Sequence, residues 1–180
     1  MEALEGIRRL PPGSHGIPAE VVARNQRERL VAAMAEECAE RGYAETSVAA
    51  VAKRAGVSSV TFYEQFADKR DCLLATHREL LGRLLAQLDR AEGAEETRRA
   101  ALAVFAADPP STRLLTVEIL AAGPEGGELH AAMASAFAER LGTDWVHAAG
   151  LLALVGKSVL SGEADRLPGL DFRLDEPPPG

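Results

Sequence analysis

Cysteine is scarce in this chain, with two among 180 residues. Two cysteines make no disulfide framework, and with four histidines at no ligand spacing they make no metal cluster. A reducing, cytoplasmic compartment is the expectation, with no metal or cofactor. Long apolar runs are also missing. The longest, 145–162, is interrupted by His147 and Lys157, so only residues 148–156 are unbroken. That is well short of the ~20 residues a membrane-spanning helix needs. No apolar segment of signal-peptide type opens the chain. Basic residues are in deficit, with 20 Lys and Arg against 27 Asp and Glu, a formal charge of −7. This excludes a coat of basic surface. The deficit is uneven, however. Residues 1–80 hold 11 basic and 12 acidic side chains, whereas residues 81–180 hold 9 and 15. An anionic partner is therefore expected to meet the first half. Strand-like alternation, internal repeats, a Ser-His-Asp set and paired carboxylates are absent from the pattern.

What remains is helical. Residues 1–24 read as a flexible arm, since Pro11, Pro12, Gly13, Gly16 and Pro18 oppose regular structure and Arg8, Arg9 and Arg24 stud the segment. A first helix is expected over 25–41, with Leu30, Val31, Met34, Ala35 and Cys38 on one face and Gly42 ending it. Thr46 or Ser47 caps a second helix, Ser58 a short third, and Asp68 a long fourth. Leu73, His77, Leu80, Leu81, Leu84, Leu85 and Leu88 draw an apolar stripe along that fourth helix. Further helices are expected at about 95–107, 111–122, 125–141 and 144–161. Residues 167–180 read as an irregular tail.

The informative stretch is 46–69. Two short helices meet at a sharp turn around Gly56, where a left-handed residue is needed, and Ala52 supplies the small side chain for a close crossing. The run Gly42-Tyr43-Ala44-Glu45-Thr46-Ser47, Val51-Ala52-Lys53-Arg54-Ala55-Gly56-Val57-Ser58-Ser59-Val60-Thr61-Phe62-Tyr63 and Phe66-Ala67-Asp68-Lys69 resembles the DNA-binding signature of the TetR family of bacterial regulators. The likeness covers roughly 50 residues and is specific in order and spacing. It is weak beyond residue 90, where Glu118-Ile119-Leu120-Ala121-Ala122-Gly123-Pro124 resembles part of the family's ligand domain.

The resemblance implies roles. Thr46 and Ser47, at a helix N-terminus, are placed to bind a phosphate. Ser58, Ser59, Val60 and Thr61 open the recognition helix and enter the major groove, where Val60 can touch a thymine methyl. Tyr63 and Lys69 resemble the family's phosphate contacts, and Arg24, Arg27 and Arg29 add backbone or minor-groove contacts. The recognition helix carries no Arg or Lys, and Glu64 stands beside Tyr63, so apolar contact and DNA shape carry more of the reading.

In the second half, a ligand site is expected between the fourth helix and its neighbours, lined by His77, Leu81, Phe105, Leu115, Glu118, Met133 and Phe137. His77 and Glu118 are its polar exceptions; the alternative is that Glu118, flanked by Val117 and Ile119, is a capping or pairing residue of a packed core in which the two satisfy each other or the backbone. His77 is either such an anchor or a core histidine satisfied by a neighbour. Cys38 and Cys72 are either buried structural thiols or a redox pair. The helix 144–161 is apolar nearly all round and is expected to be covered by a second subunit. Similar proteins dimerise through two C-terminal helices, where this chain offers one.

The sequence therefore predicts an all-α protein. It has an arm (1–24), a three-helix helix-turn-helix head (25–70), a helical ligand-binding and dimerisation body (71–166) and a tail (167–180). The expected function is repression of transcription by a homodimer bound to a palindrome in double-stranded DNA and released by a small hydrophobic effector. The alternatives are a DNA-binding dimer without an inducer, constitutive or controlled by a protein partner, and an enzyme or scaffold that merely resembles a regulator.

Overall fold

A computed structural model describes residues 18–170, so Arg8 and Arg9 and most of the expected arm and tail lie outside the described residues. Eight α-helices follow one another: α1 (Ala19–Glu45), α2 (Val48–Ala55), α3 (Ser59–Gln65), α4 (Lys69–Leu88), α5 (Ala94–Ala107), α6 (Pro109–Thr116), α7 (Pro124–Leu141) and α8 (Trp145–Leu160). Single 3-10 segments, Glu118–Ala122 and Ala164–Gly169, follow α6 and α8. Among the described residues there is no strand.

Side-chain caps set most of the helix starts. The Ala50 N–H donates to Ser47 Oγ (3.1 Å), Thr61 N–H to Ser58 Oγ (3.0 Å) and Asp71 N–H to Asp68 Oδ1 (2.8 Å). Asp71 returns the favour by accepting from Ala67 N–H (2.9 Å), the reciprocal arrangement that fixes a helix entry. The α2–α3 turn is closed by Gly56 in the left-handed region (φ 64°), with Val57 N–H donating to Ala52 O (3.0 Å).

The head packs α1, α2 and α3 around Leu30, Met34, Val51, Phe62 and Phe66, all buried. Helix α4 belongs to both parts. Its first turns place Cys72 and Leu73 in the head, and Leu80, Leu84 and Leu88 run on into the body. There Phe105 stacks on Phe137 (5.7 Å between ring centres), among Leu102, Leu114, Ile119, Met133 and Leu151. Cys38 and Cys72 are buried, and burial pushes the Cys38 thiol up to about 11 and the Cys72 thiol further in the same direction. Both therefore stay protonated, the state of structural rather than reactive cysteine.

The helix expected over 111–122 is split into α6 and the Glu118–Ala122 segment, and two outer boundaries also differ from expectation. Helix α1 begins at Ala19, inside the segment read as arm, because Pro18 sits ahead of the first turn, where its missing N–H is harmless and its carbonyl accepts from Val21 and Val22. The tail does not start at Leu167 either. That side chain is fully buried in the Ala164–Gly169 segment packed on α5, and the Leu170 carbonyl accepts from Arg98 (2.8 Å).

The tightest approach in the body is at Gly126, in the first turn of α7. A Cβ there would lie 2.0 Å from the Ile119 carbonyl oxygen. At neighbouring Gly127 it would meet nothing within 4 Å. Gly126→Ala should cost about 1–3 kcal/mol or more by overpacking, whereas Gly127→Ala should gain ~0.5–1 kcal/mol from helix propensity. Urea unfolding of the two variants checks both signs.

Candidate nucleic-acid interface

Helix α3 presents a short outward face. Ser59 is exposed, as are Val60 (69%) and Tyr63 (58%), while Phe62 between them is fully buried against the head core. Burial of every third or fourth side chain is what leaves the others standing clear. Ser58 is exposed at the N-cap, and Thr61 is half-buried with its hydroxyl 3.1 Å from that of Ser58. Ser47 is exposed at the N-terminus of α2, and Arg24 is exposed on α1.

The other expected DNA contacts are occupied within the fold. Thr46 is buried, and its hydroxyl donates to Gly42 O (2.8 Å), so it closes the end of α1 instead of facing a phosphate. Lys69 Nζ donates to Tyr43 O (2.9 Å), Thr46 O (2.9 Å) and Ala44 O (3.4 Å) and lies 4.2 Å above the Tyr43 ring. Its charge is spent on the carbonyl end of α1, where a cation is favoured. Arg27 joins α1 to α4 through Glu79 (2.9 Å) and covers the Phe66 ring at 4.6 Å. Lys69 and Arg27 are thus both engaged within the fold.

Sequence reasoning missed the partners of Arg54. This α2 side chain is bound by three carboxylates of α1, Glu36 (3.1 Å), Glu37 (2.7 Å) and Glu40. Hydrogen bonding to Arg54 holds the Glu40 carboxyl below its usual range. The i, i+1, i+4 spacing of the three glutamates on α1 was the available signal. Lys53, beside it, is exposed and borders an open cleft of about 440 Å³ that Glu37, Arg41, Ala50 and Arg54 complete. That cleft lies on the head and not in the body where the ligand is expected.

In the body, Phe105, Leu115, Met133 and Phe137 are buried in one core with His77, and Leu81 is packed at its edge. Glu118 departs from the expected set. Its carboxylate faces α1, accepting from Tyr43 N–H (2.7 Å) and Arg113 Nε (2.8 Å), as a pairing residue between body and head. Its spacing on an apolar face could not distinguish the two directions. His77 does not pair with it. Neither His77 ring nitrogen makes a hydrogen bond of ordinary geometry, although the Leu115 backbone lies close enough to favour the protonated ring slightly. His130 Nε2, on α7, is likewise buried without a partner.

Residues 30–76 match the sequence profile of the tetR family of bacterial regulatory proteins. The head thus resembles the DNA-binding segment of that family. The fatty acid metabolism regulator protein of Bacillus subtilis (strain 168) is 33% identical over 61 residues, which is 34% of this chain and 31% of that protein. The match thus spans about a third of that relative. Structural likeness extends further. FadR of Bacillus subtilis, crystallised with stearoyl-CoA, superposes with a TM-score of 0.65 at 18% identity, covering 82% of this chain and 98% of that one. A transcriptional regulator from Rhodococcus sp. Rha1 gives 0.61 at 27% identity, covering 79% and 90%. The fold of these regulators therefore reaches through the body as well as the head. Among the described residues no helix is long and apolar enough to cross a membrane.

The buried imidazole makes a pH prediction. Burial, with the nearby His130 and Arg78, pushes His77 down to about 4 from an ordinary 6.5, and burial lowers His130 too. Between those values the unfolded chain binds more protons than the fold. Stability is therefore fully present above about pH 6.5 and is lost as the pH falls toward 4. His77→Leu should flatten this loss and raise stability at pH 5, measured by thermal unfolding across the pH range.

Proposed function

We propose that this TetR-type regulator represses transcription as a homodimer on a palindromic operator, and that a small hydrophobic ligand releases it. The observation that carries the DNA half is α3: a capped helix held by buried Phe62, with Ser59, Val60 and Tyr63 standing clear of the head. Two such helices related by a twofold axis read half-sites about one helical turn apart. With no basic side chain on α3, and Lys69 and Arg27 engaged, specificity comes from hydroxyl contacts, the Val60 methyls and DNA shape.

The dimer reading is supported by α8. Trp145, Val146, Ala153 and Leu160 are exposed on it although it is the most apolar helix of the chain, and α7 adds Ala131, Ala132 and Ser135 beside them. Small side chains let helices of two subunits approach closely, and large apolar ones gain from being covered.

The ligand reading is supported by the stearoyl-CoA complex of the Bacillus subtilis neighbour and by the orphaned ring nitrogens of His77 and His130 in an apolar body. Burying a polar group without a partner costs about 1–3 kcal/mol, and a ligand that supplied one would offset that cost. An acyl chain ending in a carbonyl fits an apolar wall with an imidazole donor. The close packing of Phe105, Leu115, Met133 and Phe137 favours the second reading, a regulator without an inducer. Calorimetry with stearoyl-CoA decides between them.

Selection from random duplexes tests the DNA half. An inverted repeat should be enriched. Val60→Ala should cost on the order of 1 kcal/mol on the selected site and relax preference at one base pair. Tyr63→Phe should weaken specific and non-specific binding alike. Failure to enrich any duplex sinks the reading.

A further inference from the structure

Helix α1 breaks at Gly42, whose backbone (φ 78°, ψ 158°) only glycine adopts easily. The break turns the Tyr43 N–H away from its helical acceptor, the carbonyl of Ala39 four residues earlier. Each of the two separated groups finds a partner from the body. Tyr43 N–H donates to Glu118 Oε2 (2.7 Å), and Ala39 O accepts from Arg113 Nη1 (2.7 Å). Arg113 Nε then donates to Glu118 Oε1 (2.8 Å) and closes the circuit. An ion pair from the body is thus inserted into a broken hydrogen bond of the head. A Cβ at Gly42 would meet Glu118 Oε2 and Arg113 Nη2 only at ordinary contact distance (3.7 and 3.8 Å), so it is the positive φ and not crowding that calls for glycine.

The same short helix faces the buried histidine. Leu115, whose backbone lies beside His77, follows Arg113 by two residues and so points about 200° around α6 from it. Ser111, one turn before Leu115 on the His77 side, has a buried hydroxyl with no partner. At its C-terminal end α6 is wedged by Thr116 and Val117 against Gly156 of α8, where a Cβ would meet Val117 Cγ2 at 3.2 Å. One side of α6 therefore borders the orphaned imidazole, and the other grips the head.

We propose that Arg113 and Glu118 are positioning residues for DNA binding: they fix the angle of the head on the body, and a ligand entering beside His77 displaces α6 and withdraws them. The second half of this inference rests on the ligand-release reading above. Withdrawal leaves the Tyr43 N–H and the Ala39 carbonyl without partners, so the end of α1 rearranges and carries α2 and α3 with it. Arginine suits the task because its fork reaches two acceptors at once, which a lysine cannot do in the same geometry.

The test uses the full chain, a library of duplexes with the selected half-sites at varied spacing, and stearoyl-CoA as the probe. Wild type should prefer one spacing, and stearoyl-CoA should weaken its DNA binding within the ~5–150-fold range of ordinary allosteric coupling. Arg113→Ala and Glu118→Ala should accept spacings a base pair shorter or longer about as well, with a probe effect near onefold. Circular dichroism confirms that each variant is folded. Should the alanine variants unfold, Glu118→Gln, which keeps an oxygen for Tyr43 N–H but loses the charge facing Arg113, carries the test with the same expectation in smaller degree. Variants that only melt earlier, with spacing preference and probe response intact, overturn the inference while the regulator reading stands. A wild type that selects no duplex overturns the regulator reading, and this inference falls with it.

Discussion

The carbonyl end of α1 is where the chain commits its most expensive polar groups. At Gly42 the helix breaks, and the carbonyls around the break take side-chain donors in addition to the Thr46 N–H that reaches Gly42 and Tyr43. Lys69 serves Tyr43, Ala44 and Thr46, Arg113 serves Ala39, and the Thr46 hydroxyl serves Gly42. Those donors come from α4, from α6 and from the turn into α2. A single helix terminus thus fixes the relative placement of three elements that lie far apart in sequence. Breaking a partly buried charged network of this kind is costly because the groups left behind stay desolvated.

This arrangement explains why the head carries so little free positive charge. Arg27, Arg54 and Lys69 all sit in the DNA-binding half, yet each is engaged in holding helices together. Arg54 ties α2 to three glutamates of α1, so the helix that supports the recognition helix is braced by charge as well as by Val51 and Ala52. On the proposed reading, a rigid head lowers the cost of ordering on DNA, and the engaged cations shift weight from counterion release to shape and apolar contact.

Local pattern carried much of the fold. The apolar stripes of α1 and α4, the left-handed Gly56 and the caps Ser47, Ser58 and Asp68 are all written within four residues of where they act, and spacing alone reveals them. The contacts of Lys69 and Glu118 with Tyr43 were not legible, because they span 26 and 75 residues. No periodicity encodes such a meeting. Glu118 sits between apolar neighbours whether its carboxylate turns toward a ligand or toward the head, and only the packed structure settles which. His77 is the opposite case. Its burial was legible in the leucine stripe, but its lack of a partner was not, since a nearby polar residue in sequence is no guarantee of a bond in space.

The claim beneath this description is that the body holds the head through the broken end of α1. Native-state hydrogen exchange of the Tyr43 amide tests it without operator or ligand. If Glu118 and Arg113 lock the joint, that amide exchanges only when the whole chain unfolds, in step with the buried middle of α4 around Leu80. A Tyr43 amide that exchanges orders of magnitude faster than those of α4, while the body stays folded, would contradict the account.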